Sequence, residues 1–219
     1  MCKTVVVVGV GGVLGGGVAV KLGQLGFDVV PVSAKAILNM SFNSLTSFAG
    51  DLVSGISVMS SAQSSVGLVL AHRCRSSDPC ESISAELAIT RGLTWALADL
   101  VPNLRVVVLG SVTGTFLCPS LPESYHYAKD MQKSIARQSL RLSNVQMNVV
   151  ALSWFEKYAK EKQCPEYSNE LARVSEKIGS SNLPSISDIG DFVGALLRAR
   201  HVPRGQVINF DGGYSTLQE

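Results

Sequence analysis

The sequence predicts an α/β fold, a doubly wound parallel sheet of about seven strands in a single domain over 1–219. Two observations carry that expectation. Short valine-rich runs alternate along the whole chain with longer amphipathic segments. Nearly continuous hydrophobicity is what strands buried on both faces require, and strand–helix alternation feeds right-handed crossovers. The first run is also followed at once by a glycine-rich turn, VVVVGVGGVLGGG at 5–17, with six glycines among nine residues. The composition agrees: 219 residues, 46% hydrophobic and 16% charged, are enough to bury a large core without disordered tails.

Taken in order, the expected strands are TVVVV (4–8), FDVVPV (27–32), SFAG (47–50), VGLVLA (66–71), RVVVLG (105–110), QMNVVAL (146–152) and GQVINF (205–210). Between them lie expected helices at roughly 12–25, 52–64, 81–101, 124–141 and 187–200. In the third of these, Leu87, Leu93, Leu97 and Leu100 recur near helical spacing, and Glu86, Arg91 and Asp99 fall elsewhere, on the surface. The polar segment 153–185 departs from the alternation and reads as a substrate lid, since ligands of open α/β sheets bind beyond the carboxyl ends of the strands.

Several classes of function are disfavoured. A net charge of +2, with no Lys/Arg cluster or aromatic platform, gives no footprint for nucleic acid or an anionic membrane. The apolar run after Lys3 is broken by glycines too soon for a bilayer span, so it reads as a buried strand and not a signal peptide. Five scattered cysteines without a CxxC pair fit reduced thiols in a cytoplasmic protein, with no metal site.

The glycine run must turn sharply after a strand and open a helix whose N–H groups can face a phosphate. GxGxxG spacing fails, because Leu14 takes the third position. GxxGxxG fits Gly9, Gly12 and Gly15, while GxxxGxG fits Gly11, Gly15 and Gly17. The first choice leaves the longer helix before Gly26 and is preferred, with Val13 and Leu14 on the same turn and Gly16 and Gly17 inside the first helical turn. The plain alternative is a turn that serves tight helix–strand packing and holds no ligand. The second strand ends VVPVSAK, where Ser33 and Lys35 stand and no carboxylate is near. A hydroxyl and a cation suit a 2′-phosphate, so NADP(H) is expected over NAD(H); a solvated surface lysine is the bland alternative.

The chemistry lies in VVVLGSVTGTFLCPSLPESYHYAKD. Ser111 closes a strand, and Tyr125 and Lys129 are spaced i, i+4, which places both on one helix face. An ammonium beside a phenol favours the phenolate and makes the tyrosine a usable general acid/base near neutral pH. Tyr127 competes but has Met131, not lysine, at i+4. His126 is expected to point away from Tyr125, being adjacent on the helix. Trp154, Phe155 and Tyr158 either line an apolar pocket or pack the lid on the core, EKYAKEK (156–162) is a solvated face, and Cys118 and Cys164 are packing residues.

With the glycine turn, the Ser111/Tyr125/Lys129 set and the ending RGQVINFDGGYS, the chain resembles the short-chain dehydrogenase/reductase family over essentially its whole length. The resemblance implies a Rossmann-type sheet and NAD(P)-dependent oxidoreduction of alcohols and ketones. Ser111 would position the carbonyl, Tyr125 would donate the proton, and Lys129 would bind the nicotinamide ribose and tune Tyr125. It also implies a homodimer or homotetramer through the helices at 81–101 and 124–141.

The chain departs from the family's pattern in several places. Leu70-Ala71-His72-Arg73 stands where Asn-Asn-Ala-Gly is usual, making His72 and Arg73 candidate cofactor contacts; the plain alternative for His72 is a strand-end histidine with a backbone partner. No asparagine occurs between Asn43 and Asn103, so the usual fourth-helix asparagine is missing. Leu152-Ser153-Trp154-Phe155 replaces a Pro-Gly and a carboxamide-holding threonine, leaving Ser153 as the candidate there. Arg73 either pairs with a cofactor phosphate or obstructs the cleft. The expected function is an NADP(H)-preferring reductase of a ketone or aldehyde. A degenerate family member with a nucleotide-binding, regulatory or structural role is the alternative. A nucleotide-sugar epimerase or dehydratase is a second one, which the short chain length disfavours.

Overall fold

A computed structural model describes residues 2–38, 40–59, 65–73, 77–112, 122–153, 155, 172, 176, 178–179 and 182–213. Among them, six strands form one sheet: β1 (Thr4–Val8), β2 (Asp28–Val32), β3 (Val66–Leu70), β4 (Leu104–Ser111), β5 (Val145–Leu152) and β6 (Val207–Phe210). Their order is β2-β1-β3-β4-β5-β6, and every neighbouring pair is parallel. The chain runs outward from β1 to β2, then returns to β3 on the other side of β1. That reversal makes the β1/β3 boundary a topological switch point.

The continuous valine runs are explained by burial on both faces. Val5 and Val7 of β1 join one cluster with Val69, Val107, Leu109 and Val150. Val6 and Val8 join the opposite cluster with Leu68, Leu70, Val106, Val108 and Val149. The first cluster is closed by α1 (Val13–Gln24) and α7 (Ile186–Arg198) through Val18, Leu22, Ile189, Val193 and Leu197. The second is covered by α3 (Phe42–Met59), α5 (Thr94–Ala98) and α6 (Glu123–Gln138), with the short α2 (Ala34–Leu38). Burying each large aliphatic side chain contributes about 1.5–3 kcal/mol, so the two clusters dominate the folding free energy.

Side chains satisfy both ends of α7. Ser185 and Asp188 form a reciprocal capping box at the start of α7. Arg105, buried in β4, donates from Nη1 to the carbonyl oxygens of Leu197 and Ala199, which α7 leaves unpaired at its C-terminus. Lys21 of α1 and Asp191 of α7 pair at 2.9 Å.

SFAG is not a strand. Residues 47–50 lie inside α3, where Leu45, Ala49 and Ile56 recur at helical spacing and are buried. An eighteen-residue helical period overrides a four-residue apolar fragment. The helix expected at 52–64 begins ten residues earlier, at Phe42, and takes in the expected strand; the remaining expected elements form within a few residues of their bounds. The helix expected at 81–101 is α4 (Pro79–Glu86), a wide π-type stretch over Leu87–Leu93, and α5 in succession. Most of the lid 153–185 lies outside the described residues, as do Cys74, Cys118, Trp154, Tyr158 and Cys164. No described helix is long and apolar enough to cross a membrane.

Candidate active site

The glycine turn stands at the switch point. Gly9 follows β1 directly; its N–H donates to the Val32 carbonyl at the end of β2 at 2.9 Å. On the other side the Ala71 N–H donates to Val8 at 2.9 Å, closing β3 against β1. Gly9 has φ 95°, a left-handed conformation, and a Cβ there would lie 2.7 Å from the Ala71 carbonyl oxygen. A side chain at this position is therefore excluded twice, by backbone conformation and by space. Gly15 is buried in α1, where a Cβ would overlap the Gly9 carbonyl oxygen. Gly12 is the N-cap of α1 and makes no side-chain cap, so the N–H groups of the first turn are left to an external acceptor. A Cβ at Gly12 would meet only Gly9 O, at 3.4 Å, and one at Gly11 would meet nothing within 4 Å. Val13 is exposed beside the turn and Leu14 packs partly into the core. Gly17 packs against Ile186 of α7.

Ser33 and Lys35 follow β2 and are both exposed, with the Ser33 carbonyl accepting from Ala36 N–H at the start of α2. Ser111 is the last residue of β4, buried and paired in register with Leu152. Tyr125 and Lys129 lie on one face of α6, with the Lys129 ammonium 5.5 Å from the Tyr125 ring centroid. Tyr125 is half-buried and Lys129 fully buried. Tyr127 is 46% exposed and donates to Glu123 Oε1 at 3.2 Å. The hydrogen bond to Glu123 and its charge hold the Tyr127 phenol above its usual range, so this residue is turned away and poorly suited to ionise. His126 is buried, and its ring meets Tyr125 edge-on with centroids 6.2 Å apart, closer than helix spacing suggested.

Three residues take positions that the sequence did not disclose. Arg73 is exposed and sets its guanidinium carbon 4.9 Å from the Tyr125 centroid, so the tyrosine ring has a cation on each of two contacts. His72 is buried, with Nε2 2.9 Å from Glu86 Oε2, in place of the backbone partner that a strand-end histidine usually finds. Glu86 is the correction: expected on the surface, it is fully buried in the seam between α4 and α6. Thr90 Oγ1 donates to its Oε2 at 2.6 Å and Gln132 Nε2 to its Oε1 at 3.1 Å. Burial pushes the Glu86 carboxyl up, but the charge and hydrogen bond of His72, the charge of Lys129 and the Thr90 bond together bring it below its ordinary value of 4.5. A carboxyl lowered in the folded state contributes stability that is complete above its unfolded value and lost as pH falls through the folded one. Urea midpoints should thus fall as the pH drops below 4.5, and less steeply in Glu86→Gln, which has no proton to gain there.

Ser153 donates from Oγ to the Asp211 carbonyl at 3.1 Å, tying the end of β5 to the turn after β6. Phe155 is buried with Leu152, Phe210 and the α1/α7 cluster, so of its two expected roles it takes the packing one. No cluster of metal-ligating side chains occurs among the described residues.

Solved structures with this architecture are numerous. A Sinorhizobium meliloti protein given as a candidate short-chain alcohol dehydrogenase matches with a TM-score of 0.75 at 18% identity, over 99% of this chain and 98% of its own. The chain shares the fold of that structure. The 3-alpha-hydroxysteroid dehydrogenase of Pseudomonas sp. B-0831, solved with NADH, matches the fold with a TM-score of 0.75 at 15% identity, over 99% and 98% of the two chains. The protein gox2181 does so with 0.71 at 13%, over 98% and 96%. The sequence itself matches no protein-family model and no curated protein.

Proposed function

We propose that the chain is a divergent short-chain dehydrogenase/reductase, an NADP(H)-preferring oxidoreductase of a ketone or aldehyde and its alcohol. The observation that carries this is the shared face of Tyr125 and Lys129, 5.5 Å from ring to ammonium, on the helix that follows the Ser111 strand of this fold. The turn residues fit a dinucleotide: Gly9 and Gly15 leave no room for side chains of their own, and Gly12 opens α1 with N–H groups that no side chain caps. Gly9, Gly12 and Gly15, with Val13 and Leu14, would hold the pyrophosphate, and Ser33 and Lys35 the 2′-phosphate. The nicotinamide supplies or accepts the hydride when bound. Ser111 offers its hydroxyl to the substrate oxygen, and Tyr125 gives that oxygen its proton in the reductive direction. Lys129, on the same helix face as Tyr125, would hold the nicotinamide ribose. His72 and Ser153 would join the cofactor set beside the bonds they already make, His72 Nε2 to Glu86 and Ser153 Oγ to Asp211, and Arg73 with them. Association through the helices expected at 81–101 and 124–141 belongs to the same proposal; Leu87 and Tyr127 are exposed along them.

A second reading, a nucleotide-binding or structural protein without turnover, is favoured by Arg73, whose guanidinium rests against Tyr125. Titration with NADPH and NADH, followed by nicotinamide fluorescence, separates the two. Saturable binding of neither would sink the reductase. For cofactor choice, Lys35→Ala should weaken NADPH about tenfold, roughly 1.4 kcal/mol, with little change for NADH. Equal effects on both would make Lys35 a surface residue only.

A further inference from the structure

Behind Lys129 lies a continuous buried chain of polar side chains with a defined direction. Lys129 Nζ donates to Gln132 Oε1 at 3.2 Å, Gln132 Nε2 donates to Glu86 Oε1 at 3.1 Å, and Glu86 Oε2 faces His72 Nε2 at 2.9 Å. All four residues are at most 4% exposed. An ammonium can only donate and an ionised carboxylate can only accept. Gln132 stands between one of each, so its amide satisfies both in a single orientation, oxygen toward Lys129 and nitrogen toward Glu86. The flipped amide would place its oxygen against the carboxylate and its NH2 against the ammonium. The same amide oxygen lies over Gly110, where a Cβ would be 3.5 Å from it, so the chain passes directly behind the residue preceding Ser111.

We propose that Glu86 and Gln132, anchored by His72, are positioning residues that aim the Lys129 ammonium at the Tyr125 side of the cleft. A pair that only welded β3 to α4 would stop at His72 and Glu86. Here the carboxylate's second oxygen is spent on Gln132, and Gln132 carries that fixed polarity to Lys129, a long side chain with several rotatable bonds. The proposal rests on the reductase reading for what Lys129 does, but not for what holds it.

The test has two arms. Reductive methylation with formaldehyde and cyanoborohydride, read by peptide mass spectrometry, compares labelling of Lys129 with that of Lys133 on the same helix. Gln132→Leu cuts the link and leaves the His72–Glu86–Thr90 contacts in place; Glu86→Gln removes the charge that orients the amide. Both are expected to raise the Lys129/Lys133 labelling ratio about tenfold, as loss of a hydrogen bond to a charged group allows. An unchanged ratio in Gln132→Leu overturns the proposal, including where Glu86→Gln fails to fold. In the second arm, NADPH fluorescence titration should give about tenfold weaker binding for Gln132→Leu, measured well below its melting temperature, which falls because Lys129 Nζ and Glu86 Oε1 lose a buried partner. Parental NADPH affinity in that variant also overturns it. If the parent binds neither NADPH nor NADH, the reductase reading fails, and the labelling ratio alone decides whether Glu86 and Gln132 position Lys129.

Discussion

Tyr125→Phe is expected to lower the turnover of a ketone substrate about a thousandfold while NADPH affinity stays within about twofold. The substitution removes one hydroxyl and keeps the ring. The contacts of that ring are the Lys129 ammonium at 5.5 Å, the Arg73 guanidinium at 4.9 Å and the edge of His126 at 6.2 Å. Each is made with the aromatic face or edge, so Phe retains them and the melting temperature should barely move. Tyr127 offers no substitute, because its hydroxyl is bound to Glu123 on the exposed side of α6 and its phenol is held above the usual range. The loss should therefore appear in kcat, not in KM, since a proton donor acts mainly in the transition state. NADPH oxidation followed by absorbance measures it. A variant turning over at the parental rate would remove Tyr125 from the mechanism.

The valine runs of β1 and β3 were legible because both strands are buried along their whole length and show no alternation of apolar and charged residues. The helices at 13–24 and 123–138 were legible as amphipathic stretches, expected at 12–25 and 124–141, one following the glycine turn and the other carrying Tyr125 and Lys129. SFAG misled because it was weighed apart from Leu45 and Ile56, which give it a helical period. Glu86 was unreadable for a different reason. A charge in an amphipathic helix is on the surface unless its partners are known, and these come from His72 on β3's end and Gln132 on α6, far apart in sequence. The helical pattern reports only that the neighbours of Glu86 are apolar. Likewise, the sequence showed that Arg73 replaces a small residue but not that it reaches Tyr125. Long-range polar partners were the illegible part of the site, and they surround Lys129.

Gly9→Ala is the substitution with the largest expected cost to the fold. Left-handed backbone costs a residue with a Cβ about 1–2 kcal/mol. Forcing a methyl into a packed region adds roughly 1–3 kcal/mol. At Gly9 both act, with φ 95° and a Cβ position 2.7 Å from the Ala71 carbonyl oxygen, a backbone atom that cannot rotate aside. Urea unfolding should show a loss of about 3 kcal/mol, with NADPH binding lost as the turn moves off β3. Gly15→Ala meets the Gly9 carbonyl in the same way but in helical backbone, so it should cost less, nearer the overpacking term alone. Gly11→Ala is the control, since a Cβ there meets nothing within 4 Å and stability should hold. That control also arbitrates between the two glycine spacings. If Gly9, Gly12 and Gly15 cradle the phosphates, Gly11→Ala keeps its NADPH affinity. Loss of affinity there at full stability would move the contact to Gly11, and the assignment through Gly9 and Gly12 would give way.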